Sequence, residues 1–143
     1  MVSLTSSNFK EAELLLRIYE IYSSDPMVDA FTWFYKDFHV ENFDDYEKRY
    51  PLGSEGRKHF NRIGNFFDLL GTFIERNLVS KNLIIEFCPD EVKSFWKEAK
   101  ALILQMRNKW DDPTLYAGLE TLNREIAIWQ EKMQKQKRAC DIF

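Results

Sequence analysis

Little in this chain is reserved for turns or for chemistry. Five glycines and four prolines among 143 residues are too few to punctuate a protein of many short strands, so the backbone must run in long regular elements. Two cysteines, Cys88 and Cys140, cannot make a disulfide framework, which points to a reducing, cytoplasmic setting. The longest purely apolar run is a few residues, against the roughly 20 that cross a bilayer. No stretch near the N-terminus has the charged, apolar, then small-residue order of a signal peptide. An excess of one charge is also missing. Twenty basic residues against 23 acidic ones give a formal charge of −3, and phosphate backbones find no general footprint.

What is present is apolar residue spacing. Phe60, Ile63, Phe67, Leu70 and Ile74 return every three or four positions. So do Val92, Phe95, Ala99, Ile103, Met106 and Trp110, and then Leu119, Leu122, Ile126, Trp129 and Met133. Stripes of that period are the buried faces of amphipathic helices. Hydrophobic residues make up 45% and charged residues 30%, the balance of a globular protein, and a chain this long buries about 70% of its unfolded surface. The expectation is an all-α helical bundle of about five main helices plus two short ones, a single helical domain over residues 1–143. From about residue 132 the chain becomes a polar, basic tail.

Local signals place the ends. Asn8 and Glu11 stand at capping-box spacing before a helix that ends near Ser23. Asp25-Pro26 starts a second helix, to about Val40, and a short one follows between Glu41 and Tyr50, stopped by Pro51. Ser54 caps a long helix that closes at Asn77, and Ser80 opens a short helix before Cys88-Pro89. The next long helix runs from Pro89 to about Asn108. Asp112-Pro113 repeats the earlier start signal, so the last helix is expected from Pro113 to about Arg138.

Several of these pieces resemble one family. They are Asp25-Pro26 before an aromatic helix, the run Ile63-Gly64-Asn65-Phe66-Phe67-Asp68-Leu69-Leu70-Gly71, Leu78-Val79 before Leu83-Ile84, Phe95-Trp96, and Asp112-Pro113 before Leu115-Tyr116. Together, from Asp25 to roughly Leu122, the chain resembles prokaryotic helical proteins catalogued as domain of unknown function 4760. The resemblance implies a helical region of the kind that many members join to N-terminal membrane helices, and no such helix stands in this sequence. It implies no activity, no cofactor and no functional residue.

The chemistry-bearing residues do not assemble into a motif. His39-Val40-Glu41 lacks the Pro-Cys-x-x-Cys that completes a zinc deaminase site, the order here being Cys88-Pro89. Glu55 and His59, with Glu41, Asp44, Asp45 and His39 upstream, lack the Glu-x-x-His spacing of bundle metal sites. Cys88 precedes a helix N-terminus, but apolar Ile85 and Phe87 make it a packed thiol. Gly53 and Gly56 are not followed by the Gly-Lys-Ser/Thr of a phosphate loop. Lys93, Lys97, Lys100, Arg107 and Lys109 are spread among Glu91 and Glu98, a solvated face rather than a DNA-reading helix. Cys140 stands fourth from last behind Lys135, Lys137 and Arg138, but Asp141 is not the aliphatic residue a prenylation signal requires. No catalytic, cofactor-binding or metal-ligating residue is assigned, and an enzyme is not expected.

Twelve Phe, six Tyr and four Trp are more large rings than a core this small can hide. The expected function is therefore an interaction module that docks a protein partner or self-associates, first as a homodimer, through an aromatic helical face. Trp33, Trp96 and Trp129 are the candidate interface residues. The basic tail, Lys132, Lys135, Lys137 and Arg138, is expected outside that interface. The alternative is a membrane-surface or regulatory nucleic-acid-binding protein that uses this tail.

Overall fold

The structure is a computed structural model and describes residues 6–141. Seven helices follow in order: α1 (Ser6–Tyr22), α2 (Asp25–Asp37), α3 (Phe43–Arg49), α4 (Glu55–Glu75), α5 (Lys81–Ile85), α6 (Pro89–Lys109) and α7 (Ala117–Asp141). No strand occurs among the described residues, and the all-α expectation holds. The helices fall into two compact units, one up to Ile63 and one from Gly64 onward, with α4 contributing to both.

Most helix ends are set by local chemistry. Ser24 stands at the N-cap of α2, and Pro26 occupies its first turn, where a missing amide proton costs nothing. The helix stops at Asp37, three residues before Val40, because Phe38 turns to extended backbone. The Asn42 side chain accepts from the Asp45 amide at 2.9 Å and starts α3. Ser54 Oγ accepts from the Arg57 amide at 3.3 Å ahead of α4, and Asn77 closes that segment in the left-handed region at φ 54°.

The first unit is centred on rings. Tyr46 and Phe60 are fully buried, with centroids 5.3 Å apart, and Phe38 stacks on Phe60 at 5.6 Å. The Arg57 guanidinium lies over the Tyr46 ring at 4.7 Å and donates to the Tyr50 carbonyl at 3.1 Å. Its charge is buried because ring, carbonyl and the Glu47 carboxylate at 3.7 Å replace lost water. α1 packs on α2 within this unit, where Tyr22 meets Phe31 edge-on at 5.9 Å.

The second unit is built on the three stripes of long helices. Phe67, Phe95, Ile103, Leu119, Leu122 and Ile126 are all buried, and Phe67 meets Phe95 at 5.9 Å. The last helix starts at Ala117, four residues later than Asp112-Pro113 suggests. Residues 113–116 form turns, and Tyr116 takes a left-handed φ of 56°, which no helix can include. Arg107 holds this turn in place, donating to the Leu115 carbonyl at 2.8 Å and pairing with Glu120 at 3.1 Å.

Candidate interaction surface

Of the three candidate tryptophans, Trp96 is buried and Trp33 and Trp129 are half-buried. Trp33, in the first unit, is half-buried among Phe38 at 5.5 Å, Tyr50 at 5.2 Å and His59 at 5.6 Å. Gly56 makes room for this cluster, since a Cβ there would collide with the Tyr50 ring. Trp96 is only 7% exposed, leaving almost no ring for a partner. Its edge lines a shallow groove of about 370 Å³ with Lys93, Ser94, Lys97 and Asn123. Trp129 is half-buried on α7.

Exposed large apolar residues occur along the chain, and on α1 they form an aligned row. Phe9 is 65% exposed, Leu16 63% and Tyr19 57%, and Ala12 between them is also exposed. Residues 9, 12, 16 and 19 follow the three-and-four spacing of one helix face. Val28 and Tyr35, seven residues apart on α2, are exposed as well. The sequence carries a signal for this second face of α1. α1 holds two apolar faces, since Leu15, Ile18 and Tyr22 form another stripe, and of these Ile18 is buried.

Lys132, Lys135, Lys137 and Arg138 are all exposed on the last turns of α7, where Lys135 pairs with Glu131 at 3.4 Å. From Glu131 to Asp141 every residue is exposed.

The remaining candidates have ordinary surroundings. His39 Nε2 lies 2.8 Å from Glu41 on the surface. The Glu41 amide and then Arg49 hold the Asp45 carboxyl below its usual range. No group of three or more potential metal-ligating side chains occurs among the described residues. Burial pushes the Cys88 thiol up to about 12, so it carries no thiolate at neutral pH. The C-terminal tetrapeptide ends in Ile142 and Phe143, outside the described residues.

A family described as Domain of unknown function (DUF4760) matches the chain over residues 9–126. The chain belongs to that family. No curated protein and no solved structure matches it. The DUF4760 match extends beyond the resemblance seen from Asp25 to Leu122 and takes in most of α1. It ends at Ile126, the last buried residue of the α7 stripe, so the exposed tail is not part of the matched span. Among the described residues of this DUF4760 protein no helix is long and apolar enough to cross a membrane.

Proposed function

We propose that this protein is a cytoplasmic, non-catalytic interaction module that docks protein through the apolar face of α1, with a homodimer as its first form. The exposure of Phe9, Leu16 and Tyr19 along one helical face supports this reading most directly. Single exposed apolar residues are common on any surface, but an aligned row of large ones gains from being covered. Phe and Tyr also bring large contact area with few rotatable bonds. The buried, protonated Cys88 is consistent with a role that needs no nucleophile.

Sedimentation velocity over a dilution series tests the proposal. The wild-type protein should show a dimeric mass at tens of micromolar that falls on dilution, and Leu16→Glu should be monomeric with an unchanged circular dichroism spectrum. A dimer indifferent to Leu16→Glu would remove α1 from the interface. Retention on anionic vesicles that disappears with added salt would favour the basic tail as the working surface.

A further inference from the structure

The apolar stripe of α7 does not stop where its cover ends. Leu119, Leu122, Ile126, Trp129, Met133, Gln136 and Cys140 follow a strict alternation of three and four, the seam of a left-handed helix pair. Leu119, Leu122 and Ile126 are buried and Trp129 is half-buried, whereas Met133 is 48% exposed and Gln136 and Cys140 are exposed. The tail therefore presents a seam in register with the core stripe but uncovered among the described residues.

A second seam of the same spacing lies on α1, at Phe9, Ala12, Leu16 and Tyr19. The lengths correspond. Ten residues separate Phe9 from Tyr19 and eleven separate Trp129 from Cys140, about 15 and 16 Å at 1.5 Å per residue.

The charges beside the two seams are opposite. With Phe9 and Leu16 at the first heptad position, Glu13 and Glu20 occupy the flanking position after the seam, and Lys10 and Arg17 fall one step further round. On the tail, Lys132 and Lys137 occupy the flanking positions, one on each side of the seam, while Glu131, Lys135, Arg138 and Asp141 point further from the seam. Two tails facing each other would set lysine against lysine, and two α1 helices would set glutamate against glutamate in an antiparallel pair. α1 against a tail sets lysine against glutamate on one flank and the other lysine against the uncharged side at Asn8 and Leu15, so no like charges meet.

We infer that the α1 seam of one copy is covered by the α7 tail of a second copy, with Lys137 in an antiparallel pair, or Lys132 in a parallel one, on the flank that carries Glu13 and Glu20. This rests on the reading of α1 as the docking face and names what docks there. A two-fold pair makes the contact twice, as a closed symmetric dimer requires. The tail thus enters the interface from which its charge was expected to exclude it. Long lysine stems lie along the seam while their ammonium groups stay at the wet rim, so little desolvation is needed.

Charge reversal tests the pairing. Glu13→Lys with Glu20→Lys makes both seams basic, and Lys132→Glu with Lys137→Glu makes both acidic. All four positions are exposed, so both variants should keep the wild-type circular dichroism spectrum. Each alone should dissociate at least about tenfold more readily than wild type. An equimolar mixture of the two should regain a dimer, because each contact then pairs opposite charges. A monomeric wild-type protein at tens of micromolar overturns the inference, as does a mixture no more associated than its components. Loss of the dimer on Leu16→Glu, with both reversals indistinguishable from wild type, would overturn the tail pairing and leave α1 as the docking face.

Discussion

The carboxylate of Asp68 on α4 accepts from the backbone amide of Leu119 at 3.1 Å, across 51 positions of sequence. It does for α7 what an N-cap side chain does locally, satisfying one of the four amides that the first turn of a helix leaves open. Thr72 donates its hydroxyl to the Asp68 carbonyl at 3.0 Å, and Thr121 donates to Glu75 at 2.6 Å, so this cap sits within a short polar seam between the two helices. Asp68→Ala is expected to cost about 1 kcal/mol, and Asp68→Asn, which keeps an acceptor oxygen, less. Urea denaturation of the two variants checks the order.

Gly71 and Gly118 let α4 and α7 approach at the backbone. A Cβ on Gly71 would meet the Gly118 carbonyl, and one on Gly118 would meet the Asp68 carbonyl, neither of which is a flexible side-chain end. Gly71→Ala should therefore destabilise by roughly 1–3 kcal/mol or more, although alanine favours an isolated helix by almost 1 kcal/mol. A thermal scan that showed stabilisation would contradict the close approach.

Phe67 and Ile103 are completely buried in the second unit. Truncation to alanine removes their transfer free energy and leaves a cavity, and each substitution should cost roughly 2–5 kcal/mol. Equilibrium unfolding of Phe67→Ala and Ile103→Ala measures it, and near-neutral values would mean that these stripes do not form the core.

Two buried acids make stability fall in alkali. Burial raises Tyr46 from 10.0 to about 12 and Cys88 from 9.0 to about 12. The unfolded chain releases these protons first, so their contribution is complete below pH 9 and is lost as pH rises from 9 towards 12. Tyr46→Phe should flatten the upper part of that decline. It should also stabilise the protein by about 1 kcal/mol at neutral pH, because the Tyr46 hydroxyl is buried without a hydrogen-bond partner. Unfolding midpoints of the two proteins across this range give both values.

Much of the helical layout was legible because its signals are local. Pro26, Ser54, Asn77 and Pro89 mark ends that the structure keeps, each through a preference that acts within one turn. The start of α7 was not legible in this way. Asp112-Pro113 carries the same letters as Asp25-Pro26, but Tyr116 adopts its left-handed backbone and the helix begins beyond it, beside a cap supplied from α4. Which large apolar residues are exposed is likewise not legible in the sequence. Among the candidate rings Trp96 is buried and Trp33 and Trp129 are half-buried, whereas Phe9, Leu16 and Tyr19 are exposed, because periodicity does not say which face finds a neighbour.

The sequence by itself determined that this chain is helical, where most of its helices begin and end, and which residues are candidates for burial. Those properties follow from backbone preference and from a 3.6-residue period, both of which act over a few neighbouring residues. Only the tertiary structure decided which apolar face is covered. Periodicity assigns residues to a face of a helix, but a face is buried only if another element arrives to exclude water from it. Leu119 and Met133 lie on one stripe of one helix, and the presence of a neighbour against the first alone is what separates core from surface.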